Sequence, residues 1–131
     1  MDTSEIYVKM NEKAVEIQKI APDMLGHQWR KDNIHILNGN YYWMEISLKG
    51  ISERIWLPRQ DQLQEMVLKI GNHPWSLFWD IEDWLSKIAG DSYEYINVNK
   101  IPFTSMEQLW LAFVMSELYS RRWDGNDWII I

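Results

Sequence analysis

The segment Met106–Ser120 constrains the fold of this chain more than any other. Met106, Leu109, Trp110, Leu111, Ala112, Phe113, Val114, Met115 and Leu118 make it apolar on nearly every side. A surface helix carries a single apolar stripe, whereas a helix apolar all round is normally buried. The pattern therefore predicts a central helix over 105–120 with other elements packed around it. Thr104 and Glu107 stand before it with the spacing of a capping box. Arg121 and Arg122 follow it, where cations suit the C-terminal end of the helix dipole.

The rest of the chain must cover that helix. With 131 residues, it is near the commonest domain size and can bury roughly two-thirds of its unfolded surface. No repeat or low-complexity linker divides it, so a single domain over 1–131 is expected. Ser4 to Ile20 reads as an amphipathic helix, with Tyr7, Met10, Ala14 and Ile17 on one stripe and Lys9, Glu12, Lys13 and Glu16 opposite. Thr3 or Ser4 can cap it, and Pro22 lies just beyond its end.

A β meander is expected next, from about 33 to 57. Asn33–Leu37 and Tyr41–Leu48 flank Asn38-Gly39-Asn40, a hairpin signal. A one-residue slip would exchange the two faces of a strand. A three-residue loop, with Asn40 left-handed, sets Ile34 and Ile36 beside Tyr42, Met44, Ile46 and Leu48 on one apolar face. That register leaves His35, Tyr41, Trp43 and Glu45 on the other face, which either the first helix covers or a partner does. Lys49-Gly50 turns the chain into a third strand, Ile51–Leu57.

At IWLPRQDQLQEMVLKIG (Ile55–Gly71) the period changes from strand to helix. Pro58 cannot donate to a sheet ladder but is pre-shaped for the first turn of a helix. Leu63, Met66, Val67 and Ile70 form the apolar stripe, Gly71 suits the C-terminal cap, and Arg59, Gln60, Asp61 and Gln64 make the solvated side. After Asn72-His73-Pro74, Ser76 can cap a helix ending before Gly90. Phe78, Ile81, Leu85 and Ile88 are its expected stripe, with Trp79 and Trp84 on the flanks. Tyr93–Val98 carries a weaker strand pattern, and Asp124-Gly125 turns the chain into a last strand, Trp128–Ile131. The predicted class is α+β. A small, mainly antiparallel sheet, made of the meander and the C-terminal strand, packs on three or four helices around helix 105–120.

Composition narrows the chemistry. There is no cysteine, which excludes disulfides, thiolate catalysis and Cys-containing zinc sites and suits a reducing cytoplasm. The N-terminal MDTSEIYVK lacks the basic start and apolar run of a secretion signal. Leu109–Met115, the longest unbroken apolar run, falls far short of the roughly 20 residues that cross a bilayer. A net charge of −6 disfavours nucleic acid as a partner. Nine tryptophans are the unusual feature. Trp serves cores, interfaces and ligand platforms alike.

No nucleotide-binding, metalloprotease or serine-hydrolase motif is present. His27, His35 and His73 are widely spaced, so neither a metal nor a cofactor is expected. Asp80 and Asp83 lie one helical turn apart and could touch one cation, although acids there also suit a solvated first turn. WDGNDW (Trp123–Trp128) has the look of an acidic calcium loop, but Trp128 stands where a ligand is needed and no closing acid follows. It reads as a tight turn. Two surfaces remain as candidate partner sites: His35, Tyr41 and Trp43 on the sheet, and Arg121, Arg122 and Trp123 at the end of the central helix.

NEKAVEIQKI (Asn11–Ile20), IWLPRQDQLQEMV (Ile55–Val67) and MEQLWLAFVMSELYSRRWDGNDWI (Met106–Ile129) resemble small proteins encoded by phages and prophages of Gram-positive bacteria. Those proteins share an N-terminal helix of this type, a W-L-P-R-Q-D-Q-L block, and an E-Q-L-W-L-A-F-V-M helix ending in W-D/N-G-x-x-W. Leu68–Ser105 lies outside the resemblance, as does the stretch around Leu25–Trp29. The resemblance implies a phage origin and expression in the cytoplasm of a bacterial host, and it implies no activity and no catalytic residues. The resulting expectation is a non-catalytic accessory protein that binds a host or phage protein, in one version inhibiting a host defence system. The alternatives are a nucleic-acid-associated factor of phage replication or recombination, and a small metal-dependent enzyme. Self-pairing into a homodimer is the other use for an exposed tryptophan-rich face.

Overall fold

The apolar segment is a helix with the rest of the chain arranged around it. In the computed structural model the described residues are 1–21, 28–29, 34–37, 41–48, 51–68, 73–92, 95–96 and 100–131. They run in order through α1 (Glu5–Lys13), α2 (Val15–Lys19), β1 (Gln28–Trp29), β2 (Ile34–Leu37), β3 (Tyr41–Leu48) and β4 (Ile51–Leu57). Then follow α3 (Gln60–Val67), α4 (Ser76–Ala89), β5 (Gly90–Ser92), β6 (Tyr95–Ile96), α5 (Met106–Tyr119), β7 (Arg121–Trp123) and β8 (Trp128–Ile130). The architecture is α+β, as the sequence predicts. None of the described helices is long and apolar enough to cross a membrane.

From Trp110 to Met115 every residue of α5 is buried, as is Gln108. Only its ends, at Met106 and Leu118, open to water. The helix packs on α3, β7 and α1. Tyr7, Met10, Ala14 and Ile17 join the same core, as do Leu63 and Val67 of α3. Trp84 of α4 meets Phe113 with ring centres 5.5 Å apart, and Trp110 meets Phe113 edge-on at 5.6 Å.

The N-cap of α5 sits one residue later than expected, and no capping box forms. Ser105 is the N-cap, its hydroxyl accepting from the Gln108 amide N–H at 3.1 Å, while Gln108 Oε1 accepts from the Thr104 N–H. The reason is burial: the Gln108 amide is inside the protein and must find partners. It finds them in Thr104 and in Asp2, whose carboxylate accepts from Gln108 Nε2 at 2.8 Å. Partial burial pushes the Asp2 carboxyl up, but hydrogen bonds from Ser105, Ser4 and Gln108 outweigh it and hold the group below the usual carboxylate range. At the other end Ser120 is left-handed, at φ 52°, and closes the helix. Arg121 and Arg122 are therefore strand residues and not the helix cap that their position suggested.

The meander adopts the register argued from face patterning. Ile34 pairs with Met44, Ile36 with Tyr42 and Leu37 with Tyr41, as a three-residue connection requires. The conformation of 38–40 itself falls outside the described residues. The strand order is β1-β2-β3-β4, all antiparallel, with β1 an addition the sequence did not announce. The C-terminal strand does not join this sheet. β8 pairs with β7 in a separate ribbon whose turn is the WDGNDW stretch. Asp124 accepts there from the N–H groups of Asp127 and Asn126, bonds that hold its carboxyl below the usual range, and Gly125 takes φ +99°. That is a tight turn, with Trp123 and Trp128 packed 5.0 Å apart at its base.

The first helix is broken where one helix was expected. Ser4 caps it, accepting from the Tyr7 N–H, but Ala14 leaves helical geometry at ψ 73°. The Met10 carbonyl, one turn earlier, accepts from the Trp128 indole at 2.8 Å. That carbonyl also keeps its bond from the Ala14 N–H at 3.1 Å, so the indole adds a partner at the break without displacing the helical ladder there. Past the break, Gln18 reaches the outer edge of β4. Its Nε2 donates to the Trp56 carbonyl at 3.0 Å and its Oε1 accepts from the Trp56 N–H at 2.9 Å. One amide thus takes the place of a neighbouring strand and covers an edge that would otherwise offer free backbone groups. Beyond β4, the Pro58 carbonyl accepts from the Tyr7 hydroxyl at 2.6 Å, and the N-cap of α3 is Arg59. Pro58 therefore precedes the helix instead of opening it. α3 ends at Val67, with Leu68 as its cap, and the expected end at Ile70–Gly71 falls outside the described residues. The weak strand expected at 93–98 appears as Tyr95–Ile96, paired with β5.

Replacing Gln18 by Ala leaves the Trp56 N–H and C=O of the β4 edge without their partner. A loss of about 1–3 kcal/mol is expected, read as a lower urea midpoint with an unchanged slope.

Candidate binding surface

In both of the surfaces singled out from sequence the tryptophan is buried. On the sheet, His35 pairs with Trp43 across β2 and β3, and Trp43 pairs with Trp56 across β3 and β4. Trp43 is 2% exposed and belongs to the core. Tyr41 is half-buried, 6.3 Å from it, and the His35 side chain falls outside the described residues. Trp56 on the same face is buried too, while Ile55 and Leu57 are buried on the opposite face. This end of the meander therefore meets the core on both sides, and Trp43 is not a ring offered to a partner. At the far end of α5, Trp123 is likewise packed inside against Trp128. Arg121 is held 3.7 Å from Glu16, leaving Arg122 as the exposed cation of that set.

Six of the nine tryptophans, 43, 56, 84, 110, 123 and 128, are thus core residues. Trp75 and Trp79 are not. They stand at the start of α4, 55% and 67% exposed, beside Phe78 at 68%. His73 stacks on Trp75 with ring centres 4.1 Å apart and planes 6° off parallel. Exposed aromatic rings so close together, on one turn of helix and the bend before it, mark an interaction surface more often than filler. Beneath them lies a groove of about 460 Å³ between α3 and α4, lined by Leu68, Trp75, Phe78 and the buried Trp110 together with Asp61 and Glu65.

The local sequence explains the placement. The buried stripe of α4 is Leu77, Ile81 and Trp84, a register one residue away from the expected Phe78, Ile81, Leu85 and Ile88. Both fit a 3.6 period. Ser76 does not cap the helix; it is the first helical residue, its hydroxyl donating to the His73 carbonyl at 2.7 Å. One sequence signal marks Trp79 in retrospect. Glu82, Asp83 and Ser86 follow it at i+3, i+4 and i+7, so it shares the polar face of its helix.

A larger concavity, about 930 Å³, runs beside α1 and reaches Met44 and Glu45 of β3. Among its described residues, Glu5, Glu12 and Glu45 are balanced by Lys9 and Lys13, and no aromatic ring lines it. It shows no chemical preference. Asp80 and Asp83 do lie on one helix, but Asp83 is paired with Lys87 at 2.9 Å. Among the described residues, no three His, Asp or Glu side chains come together as a metal site would require.

The two kinds of tryptophan should respond differently to truncation. Trp43→Ala is expected to cost about 3–5 kcal/mol, the usual penalty for emptying a core aromatic site. Trp79→Ala should stay within about 0.5 kcal/mol of the parent, as exposed positions do. Chemical denaturation of both variants checks the assignment. Comparison with known proteins gives no further handle on this surface: no protein-family model, no curated protein and no solved structure matches the chain.

Proposed function

We propose that this protein is a non-catalytic binding protein, a phage or prophage accessory factor that acts on a host or phage protein in the bacterial cytoplasm. The observation that carries the reading is the exposed cluster of Trp75, Phe78 and Trp79 on α4. Burying large aromatic rings against a partner removes much apolar area from water, and such rings dominate the energetics of protein interfaces. The phage assignment rests on the sequence blocks quoted above. Those blocks fall on the end of α1 with α2, on β4–α3 and on α5–β8, which carry much of the core. The aromatic cluster falls in the stretch outside the resemblance, 68–105. That division suits a shared fold carrying a recognition surface of its own, since function resides in sites placed on folds.

The test is affinity capture from host and phage-infected lysates with the wild-type chain and a Trp75→Ala, Trp79→Ala variant in parallel. Wild-type protein should retain a specific partner protein that the variant loses, while circular dichroism and Tm of the two agree. Equal retention by both, or no partner for either, contradicts the proposal.

A further inference from the structure

Among the described residues, the grooves beside the exposed aromatic cluster are lined by charges of one sign. A second groove, of about 390 Å³, lies on the other side of Leu68, lined by Met66, Phe113 and Leu118 with Asp80 and Glu117. Leu68 borders both grooves. Among the described residues, every charged side chain lining either one is an acid: Asp61 and Glu65 in the first, Asp80 and Glu117 in the second. Asp61 is answered by Arg59 at 2.9 Å. Glu65, Asp80 and Glu117 form no ion pair among the described residues. Further along α4, Glu82 and Asp83 extend the acidic character, with Lys87 set against Asp83.

Charge selects among the occupants such a face could take. A second copy would pair by two-fold symmetry and bring the same acids face to face, which like-charge repulsion opposes. Nucleic-acid phosphates and anionic membrane surfaces are repelled for the same reason. A polypeptide with aliphatic or aromatic residues interleaved with Lys and Arg meets both requirements. Its apolar side chains enter the grooves on either side of Leu68, its cations meet Glu65, Asp80 and Glu117, and Arg can stack on the open ring of Trp79. From this we infer that the α3–α4–α5 face is the docking surface for a cationic amphipathic segment of another protein. The inference rests on the protein-binding reading above and adds the chemistry of the partner.

The experiment titrates the intact protein with a short amphipathic Leu/Lys helical peptide and with its Leu/Glu counterpart. Binding is read by calorimetry and by the indole N–H signals in the NMR spectrum, assigned through Trp75→Phe and Trp79→Phe. The Leu/Lys peptide should move the Trp75 and Trp79 signals and weaken as salt is raised. Glu65→Lys combined with Asp80→Lys should weaken it about tenfold or more without changing Tm, and the Leu/Glu peptide should leave the spectrum unchanged. Binding of both peptides alike, failure of the Leu/Lys peptide to bind, or movement confined to other signals would overturn the inference. So would sedimentation showing a dimer that Trp79→Ala dissociates. The charge-reversed variant in the lysate capture separates the two levels. A partner that needs Trp75 and Trp79 but ignores the reversal overturns the cationic segment and leaves protein binding standing. A partner indifferent to the aromatic residues overturns the binding reading itself.

Discussion

The burial of α5 on every side is the constraint from which the rest of the structure follows. A helix with one apolar stripe needs one neighbour, but Trp110–Met115 has no side that water can solvate. The chain meets that demand with elements drawn from its whole length. α1 and α3 pack on the helix, the Trp84 ring of α4 meets Phe113, and β7 folds back directly after the helix ends. Polar groups are drawn in as well, some satisfied by residues far away in the chain. Tyr7 donates to Pro58, and Gln108 is held by Thr104 and Asp2. Among the described residues, the buried indole N–H groups of Trp56 and Trp110 and the buried Asn11 Oδ1 meet no protein partner.

Much of the architecture was legible in the sequence because it depends on local spacing. The apolar run of α5, the switch at Pro58, the hairpin register from Leu37 to Tyr41, and the Asp124-Gly125 turn all rest on neighbours a few residues apart. Much of what could not be read depends on distant partners. The break at Ala14 accompanies an indole 118 positions from Met10 in the chain. The slip of the N-cap from Thr104 to Ser105 accompanies a carboxylate that arrives from residue 2. The pairing of β8 with β7, and not with the meander, is a choice between edges that strand propensity does not distinguish.

The candidate surface was the least legible part, for a specific reason. Trp43 and Trp123 drew attention as aromatic residues beside polar ones, yet a tryptophan opposite a histidine in a hairpin, or following an arginine in sequence, can still point inward. On α4, two apolar stripes one residue apart satisfy the same helical period, and the wrong one hides Phe78 while the right one exposes it. The placement of Trp79 on a face with Glu82, Asp83 and Ser86 was the available clue. Among the described residues the tryptophans thereby divide by position: six are packed in the core, and two stand exposed at the start of α4.

Amide hydrogen exchange on the intact chain tests the central claim most directly. Burial on all sides requires that the amides of Leu111–Met115 exchange only through global unfolding, making them the slowest in the protein. Exchange of those amides at rates matching the exposed first turn of α4 would contradict a fold organised around α5.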